Sequence, residues 1–157
     1  NVERNGPKIV IFPPLVAVAT PALAALLEWL LPLNLLPKVG NAIILQPGLL
    51  VLAVAGWLAI SGVRAFKRGG TNVDPRQPAL VLVRDGPYRF TRNPMYLGMV
   101  VLQIGLGLAF SLDWAMFLAP AVLLILHFGV VLKEEAYLLE LFGDPYRAYL
   151  KETQRWL

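Results

Sequence analysis

The sequence predicts an all-α integral membrane protein with four transmembrane helices, a cytoplasmic loop between helices 2 and 3, and a short C-terminal interfacial helix. Three observations carry that expectation. Hydrophobic residues make up 57% of the 157 positions and charged residues only 15%, with a mean hydropathy of +0.63. A soluble domain of this size leaves too much of its chain at the surface to hide that apolar content. The apolar residues are gathered into four runs, and the basic residues fall almost entirely between alternate pairs of them.

The runs cover residues 9–31, 43–63, 94–112 and 114–132. Each is about as long as a helix needs to cross roughly 30 Å of hydrocarbon. The first is long and contains Pro13, Pro14 and Pro21, so it is expected to be a delayed or kinked membrane helix rather than a cleaved leader. Little more than Asp113 separates the third run from the fourth, which predicts a tight helical hairpin. After the fourth run the helix is expected to continue through Glu134, Glu135 and Glu140 and to stop at Gly143. A short amphipathic helix from Pro145 to about Trp156 follows, expected at the interface.

Charge sets the orientation. Arg4 and Lys8 precede the first run. Arg64, Lys67, Arg68, Arg76, Arg84, Arg89 and Arg92 lie between the second and third, and Lys133, Arg147, Lys151 and Arg155 follow the fourth. With four crossings, thirteen of the fourteen basic residues share one face and only Lys38 lies opposite. Both termini and the middle loop are therefore expected in the cytoplasm, in a bacterial or archaeal inner membrane. The same placement explains a pI near 9.6 without a nucleic-acid partner. The chain has no Cys, which excludes disulfides, thiolate metal sites and a thiol nucleophile.

The polar residues suited to chemistry lie on the cytoplasmic side. Gly69 and Gly70 end the second helix, and Pro75, Pro78, Gly86 and Pro87 keep the following loop from becoming helical. Inside that loop Leu80 to Val83 form a short, extended-looking apolar run. From Gly86 the chain reads Gly86-Pro87-Tyr88-Arg89-Phe90-Thr91-Arg92-Asn93-Pro94-Met95-Tyr96-Leu97-Gly98. Asn93 before Pro94 has the form of an N-cap and first-turn proline. Arg89 and Arg92 suit membrane-surface anchors, and Tyr88 and Tyr96 an interfacial aromatic belt; a site is the second reading of the same residues.

Glu134 and Glu135 are adjacent acids where the last helix leaves the membrane. Anions near a helix C-terminus oppose the macrodipole, and a cationic partner would offset that cost. His127 lies one heptad earlier, which puts it on much the same helical face; it suits a hydrogen-bonded packing residue or a base. Gly105-x-Gly107 follows no strand and reads as a helix-packing feature.

The order Leu80-Val81-Leu82-Val83, Gly86-Pro87-Tyr88-Arg89, Arg92-Asn93-Pro94-Met95-Tyr96-Leu97-Gly98, Glu134-Glu135 and Phe142-Gly143-x-x-Tyr146-x-x-Tyr149 resembles the isoprenylcysteine carboxyl methyltransferases and their phospholipid N-methyltransferase relatives. The resemblance runs from about Leu80 to Trp156. It implies an S-adenosylmethionine-dependent membrane methyltransferase acting on a lipid or lipid-linked acceptor, whose donor pocket is built from residues 80–157. By that resemblance Leu80, Val81, Leu82, Val83, Tyr88, Asn93, Pro94, Met95, Tyr96 and Glu134 would bind the donor. Tyr96, Glu135 and His127 would be the candidates to assist proton removal from an amine acceptor. Two positions depart from the prenylcysteine branch: Asn93 replaces its usual His, and Val130 stands where it places a basic residue. Membrane sterol reductases, with NADPH bound by Arg84, Arg89 and Arg92, and a non-catalytic membrane scaffold are the competing classes.

Overall fold

The structure is a computed structural model that describes residues 5–157; Arg4 lies outside the described residues. Six α-helices follow one another: α1 Pro13–Leu30, α2 Ala42–Gly69, α3 Pro94–Ala109, α4 Asp113–Leu126, α5 Leu132–Phe142 and α6 Asp144–Glu152. No strand occurs among the described residues, where an isolated bridge between Thr91 and Gln154 is the extent of β pairing. A π-helical turn, His127–Val131, joins α4 to α5, so the two form one continuous rod over Asp113–Phe142.

Three helices are long and apolar enough to cross a membrane: α1, α2 and the α4–α5 rod. The third expected span is shorter than the sequence suggested. α3 has 16 residues, because Ser111 adopts a left-handed φ of 53° and turns the chain into α4.

The other boundaries move for local reasons. α1 begins at Pro13 rather than residue 9. Proline is preorganised for the first helical turn, and the residue before it is pushed out of the helical region. The stretch ahead of it packs on the α4–α5 rod instead, with the Val10 N–H donating to the Gly129 carbonyl at 3.1 Å. α2 runs on to Gly69, where Gly70 at φ 78° caps it in the left-handed conformation. The rod, as expected, continues past residue 132 and stops where Gly143, at φ 63°, breaks it. α6 ends at Glu152, so residues 153–156 are an extended tail rather than helix.

α2 and α3 pack most closely. A Cβ on Gly48 would stand 2.7 Å from the Ala109 nitrogen, one on Gly98 3.2 Å from the Ala55 carbonyl, and one on Gly105 2.8 Å from Leu52. Small residues let apolar helices approach backbone to backbone, where dispersion rather than the hydrophobic effect holds them. Gly107 lets α3 approach α4 at Met116 and Ala115, so both glycines of the expected packing motif act in packing. At the α3–α4 turn, Asp113 is buried and accepts the N–H groups of Leu35 and Leu36 at 3.2 and 2.9 Å. Ser111 donates to the Pro37 carbonyl, and the Trp114 indole donates to that of Leu31. The α1–α2 and α3–α4 turns therefore lie together, at the end of the bundle opposite the residues considered next.

Candidate functional site

At that opposite end lies an open-mouthed cavity. The end of α2, the loop over residues 71–83, the start of α3, α5 and α6 all contribute to its wall. Pro7 reaches it from the N-terminal segment.

The loop is held in place by side chains rather than by regular structure. The Tyr137 hydroxyl, on α5, accepts the Ala79 N–H at 3.0 Å, and Thr71 accepts the Leu80 N–H at 3.0 Å. Asn72 donates to the Pro78 carbonyl at 2.7 Å. The N-terminal segment lies against the same loop, with the Arg76 guanidinium 4.1 Å over the Phe12 ring. Gly6 approaches the Arg76 carbonyl too closely for any Cβ to fit between them.

Tyr88 lies on a short 3-10 turn, Gly86–Arg89, which carries its ring inward to stack on Phe66 at 4.9 Å. The Tyr149 hydroxyl fixes the turn by donating to the Tyr88 carbonyl at 2.6 Å. Burial, with the nearby Glu134 carboxylate adding to it, holds the Tyr88 phenol well above its ordinary pKa. Tyr146 and Tyr149 are pushed up by burial in the same way. All three stay protonated and serve as uncharged walls.

Glu134 and Tyr96 meet across the cavity wall. The Tyr96 hydroxyl donates to Glu134 Oε1 at 2.8 Å, and both residues line the cavity. Among the described residues no basic side chain forms an ion pair with Glu134. Glu135 is the opposite case: Arg92 Nη2 and Arg155 Nε each reach its Oε1 at 2.8 Å, and Arg155 Nη2 reaches Oε2 at 2.8 Å. The cationic partner expected for the acidic pair is thus present, on the second acid. The macrodipole cost expected for them is reduced, because the rod runs on to Phe142 and leaves both acids two turns inside it.

Of the residues singled out in the sequence, Val81, Leu82, Val83, Tyr88, Asn93, Met95, Tyr96, Glu134 and Glu135 all line this cavity. Leu80 is exposed, and Pro94 is buried in the first turn of α3 outside the lining. His127 is also outside it. The π-helical turn between them rotates Glu134 off the face that an unbroken α-helix would share with His127. His127 Nδ1 accepts instead from the Trp156 indole at 3.2 Å, as the packing reading anticipated.

One local reading holds in part and another needs correction. Asn93 occupies the N-cap position before Pro94, its carbonyl accepting the Leu97 N–H, but its side chain does not cap; the amide donates to the Arg155 carbonyl at 3.0 Å. Arg92 is not a surface anchor. Its side chain is 8% exposed and bonded to Glu135 and to the carbonyls of Leu150 and Thr153. Around it the Arg92 N–H donates to the Gln154 carbonyl and the Thr91 hydroxyl to that of Arg155, so the tail over residues 153–156 is strapped to the entrance of α3. Sequence reading missed the roles of Tyr137, Arg155 and the loop over residues 71–79. The requirement for a cation near the acidic pair was the one available signal for Arg155.

The bundle of apolar helices thus carries at one end a cavity walled by aromatic and apolar groups, with an acid–tyrosine pair on its wall. The family model for phospholipid methyltransferases matches residues 43–145, and the chain belongs to that family. Over 73 residues it is 33% identical to the protein-S-isoprenylcysteine O-methyltransferase of Schizosaccharomyces pombe. That match covers 46% of this chain and 31% of the yeast protein.

Proposed function

We propose that the protein transfers a methyl group from S-adenosylmethionine to a lipidic or other hydrophobic acceptor carrying an amine, carboxylate or thiol, at the cytoplasmic face of a membrane. The single observation that carries this reading is the Tyr96–Glu134 pair on the cavity wall, with Glu134 lacking an ion-pair partner among the described residues. A carboxylate so placed suits a donor that bears an ammonium and a sulfonium, since a charge pair gains strength away from bulk water. Phe66, Tyr88 and Val83 offer flat and apolar surface for its adenosine part. When bound, the donor supplies an electrophilic methyl group.

The residues of the chain then have three tasks. Glu134, oriented by Tyr96, holds the cationic end of the donor. The Tyr88 and Tyr149 walls and the loop over residues 71–79 exclude water and fix the approach of the two reactants, where most of the rate gain of a one-step displacement arises. For an amine acceptor, Tyr96 would relay the proton, taking one as it passes its own to Glu134, while Glu135 is held by Arg92 and Arg155. His127 is not among the lining residues and is left out of that role.

The reading includes four membrane crossings with both ends and the cavity on the cytoplasmic side. α3 is about 24 Å long at the standard helical rise, and it connects the layer of the cavity to that of the α1–α2 turn. A short helix walled by α2 and α4 spans thinner hydrocarbon by local adjustment. The sterol-reductase alternative is less well served, since Arg92 is paired with Glu135 and neither Arg84 nor Arg89 lines the cavity.

Calorimetric titration of the detergent-solubilised protein with S-adenosylhomocysteine tests the proposal. Binding by the native protein and its loss in Glu134→Ala are the expected results. No binding by the native protein, or full binding by the variant, would overturn it. Lipid extracts incubated with radiolabelled donor and separated by headgroup then identify the acceptor.

A further inference from the structure

The run Val81–Val83 that lines the cavity also lines an open groove, edged by Arg68, Arg84, Asp85 and Arg89. The three guanidinium groups come from separate stretches of the chain. Arg68 belongs to the last turn of α2, Arg84 to the loop that follows and Arg89 to the 3-10 turn. Each is held at the groove by its own contacts. Arg68 Nη2 reaches Asp85 at 3.2 Å and runs so close to Gly86 that a Cβ there would stand 3.3 Å from it. Arg84 pairs with Glu152 and lies 5.3 Å over the Tyr149 ring. Arg89 donates through Nε to the Gly86 carbonyl, and among the described residues no acid pairs with it.

Charge is out of balance at this groove. Three arginines face two carboxylates, Asp85 and Glu152. Both acids are well exposed, and exposed ion pairs are weak enough to be exchanged for a better anion. Arg64 and Lys67, exposed on the same end of α2, add to the excess. A phosphate suits such a ring of guanidinium groups, since each can donate parallel N–H bonds to its oxygens. A headgroup that carries its own ammonium would bring in more of the charge already in surplus.

The helix that leads away from the groove selects the carrier of that phosphate. Val54, Trp57 and Ile60 of α2 are 44%, 55% and 54% exposed. Their spacing of three residues, followed by steps of four to Arg64 and Arg68, puts all five on one helical face. An apolar stripe that ends in guanidinium groups matches an acyl chain that ends in a phosphate. With α2 in a bilayer, the groove lies at the level of the headgroups.

We propose that the groove between Arg68, Arg84 and Arg89 binds an anionic phospholipid of the surrounding bilayer, its phosphate among the guanidinium groups and an acyl chain along Val54, Trp57 and Ile60. The site is additional to the donor cavity. It requires that α2 lie in a membrane and does not depend on methyl transfer.

Trp57 reads the site directly. The full chain, with Trp29, Trp114 and Trp156 replaced by Phe, is reconstituted in phosphatidylcholine vesicles. Rising fractions of brominated phosphatidylglycerol or brominated phosphatidylcholine are included, and quenching of Trp57 by the brominated chains gives the relative affinity of each lipid. Phosphatidylglycerol is expected to be preferred about fivefold, the scale of one basic residue's attraction to anionic lipid. Arg68→Gln combined with Arg89→Gln should bring the two lipids to within about twofold. Arg147→Gln, which changes an exposed arginine of α6 outside the groove, should keep the native preference.

The substituted side chains are exposed; should the double variant still fail to fold, Arg89→Gln alone is read in the same way. Equal quenching by the two lipids in the native protein, or an undiminished preference in the groove variants, overturns the proposal. An equal fall in Arg147→Gln also overturns it, because diffuse surface charge would then account for the preference. So does loss of the preference when inorganic phosphate is added at constant ionic strength, since the groove would then be a site for a free anion.

Discussion

Glu134 and Glu135 are chemically identical neighbours with opposite surroundings. Glu134 has a tyrosine and open cavity, whereas Glu135 has two arginines. Substitution should therefore separate them. Glu134→Gln removes the charge from the cavity and should weaken donor binding by an order of magnitude or more, about 1.5–3 kcal/mol for a bond to a charged group, with little change in melting temperature. Glu135→Ala leaves Arg92 buried without its carboxylate and should cost about 3 kcal/mol of stability, seen as a lowered melting temperature in detergent. An unchanged melting temperature for Glu135→Ala would remove its assignment as a structural clamp. The two acids and Tyr96 were legible in the sequence because they belong to short motifs. Arg92 stands in the same motif as Tyr96, but its pairing was not legible, since its partner is 43 positions away and nothing local distinguishes an inward-facing arginine from a membrane-surface one.

The close contact of α2 with α3 depends on glycines that differ sharply in what surrounds them. A Cβ on Gly48 would meet backbone of α3 at 2.7 Å, while one on Gly56 in the same helix would meet nothing within 4 Å. Gly48→Ala should therefore part the helices and destabilise by about 1–3 kcal/mol. Gly56→Ala should stabilise slightly, by up to about 1 kcal/mol, through helix propensity alone. Thermal unfolding of the two variants side by side checks the packing, and equal effects would contradict it. The loop over residues 71–79 offers a second element to probe. Tyr137→Phe removes the hydroxyl that holds Ala79, and amide exchange across residues 71–80 should quicken severalfold if that bond holds the cavity roof down. Helix existence was readable from hydropathy. The π-helical turn was not, because Gly129 in an apolar run gives no sign of the wider turn that separates His127 from Glu134.

Across the whole molecule, the absence of Cys makes the topology easy to test. Single cysteines at Lys38, Phe110 and Arg89, all exposed positions, report the α1–α2 turn, the α3–α4 turn and the loop before α3. In sealed vesicles Lys38→Cys and Phe110→Cys should label from the same side, and Arg89→Cys from the opposite one. Labelling of Phe110→Cys together with Arg89→Cys would mean that α3 does not cross. The all-helical, apolar character was legible because bilayer thickness acts on the entire chain. The cavity roof was hidden, since the loop and N-terminal segment that form it are joined by contacts such as Arg76 over Phe12 that no periodicity encodes.

Trp156 lies on the C-terminal strap with its indole against His127, the ring centroids 6.3 Å apart. That contact gives the protein an optical reporter of its own. In a background where Trp29, Trp57 and Trp114 are replaced by Phe, Trp156 emission would register whether the strap is seated. Arg155→Ala, which loosens the strap from Glu135, should shift that emission to the red. A donor that tightens the cavity wall should shift it to the blue, so the arrival of the small molecule could be followed in real time without a label.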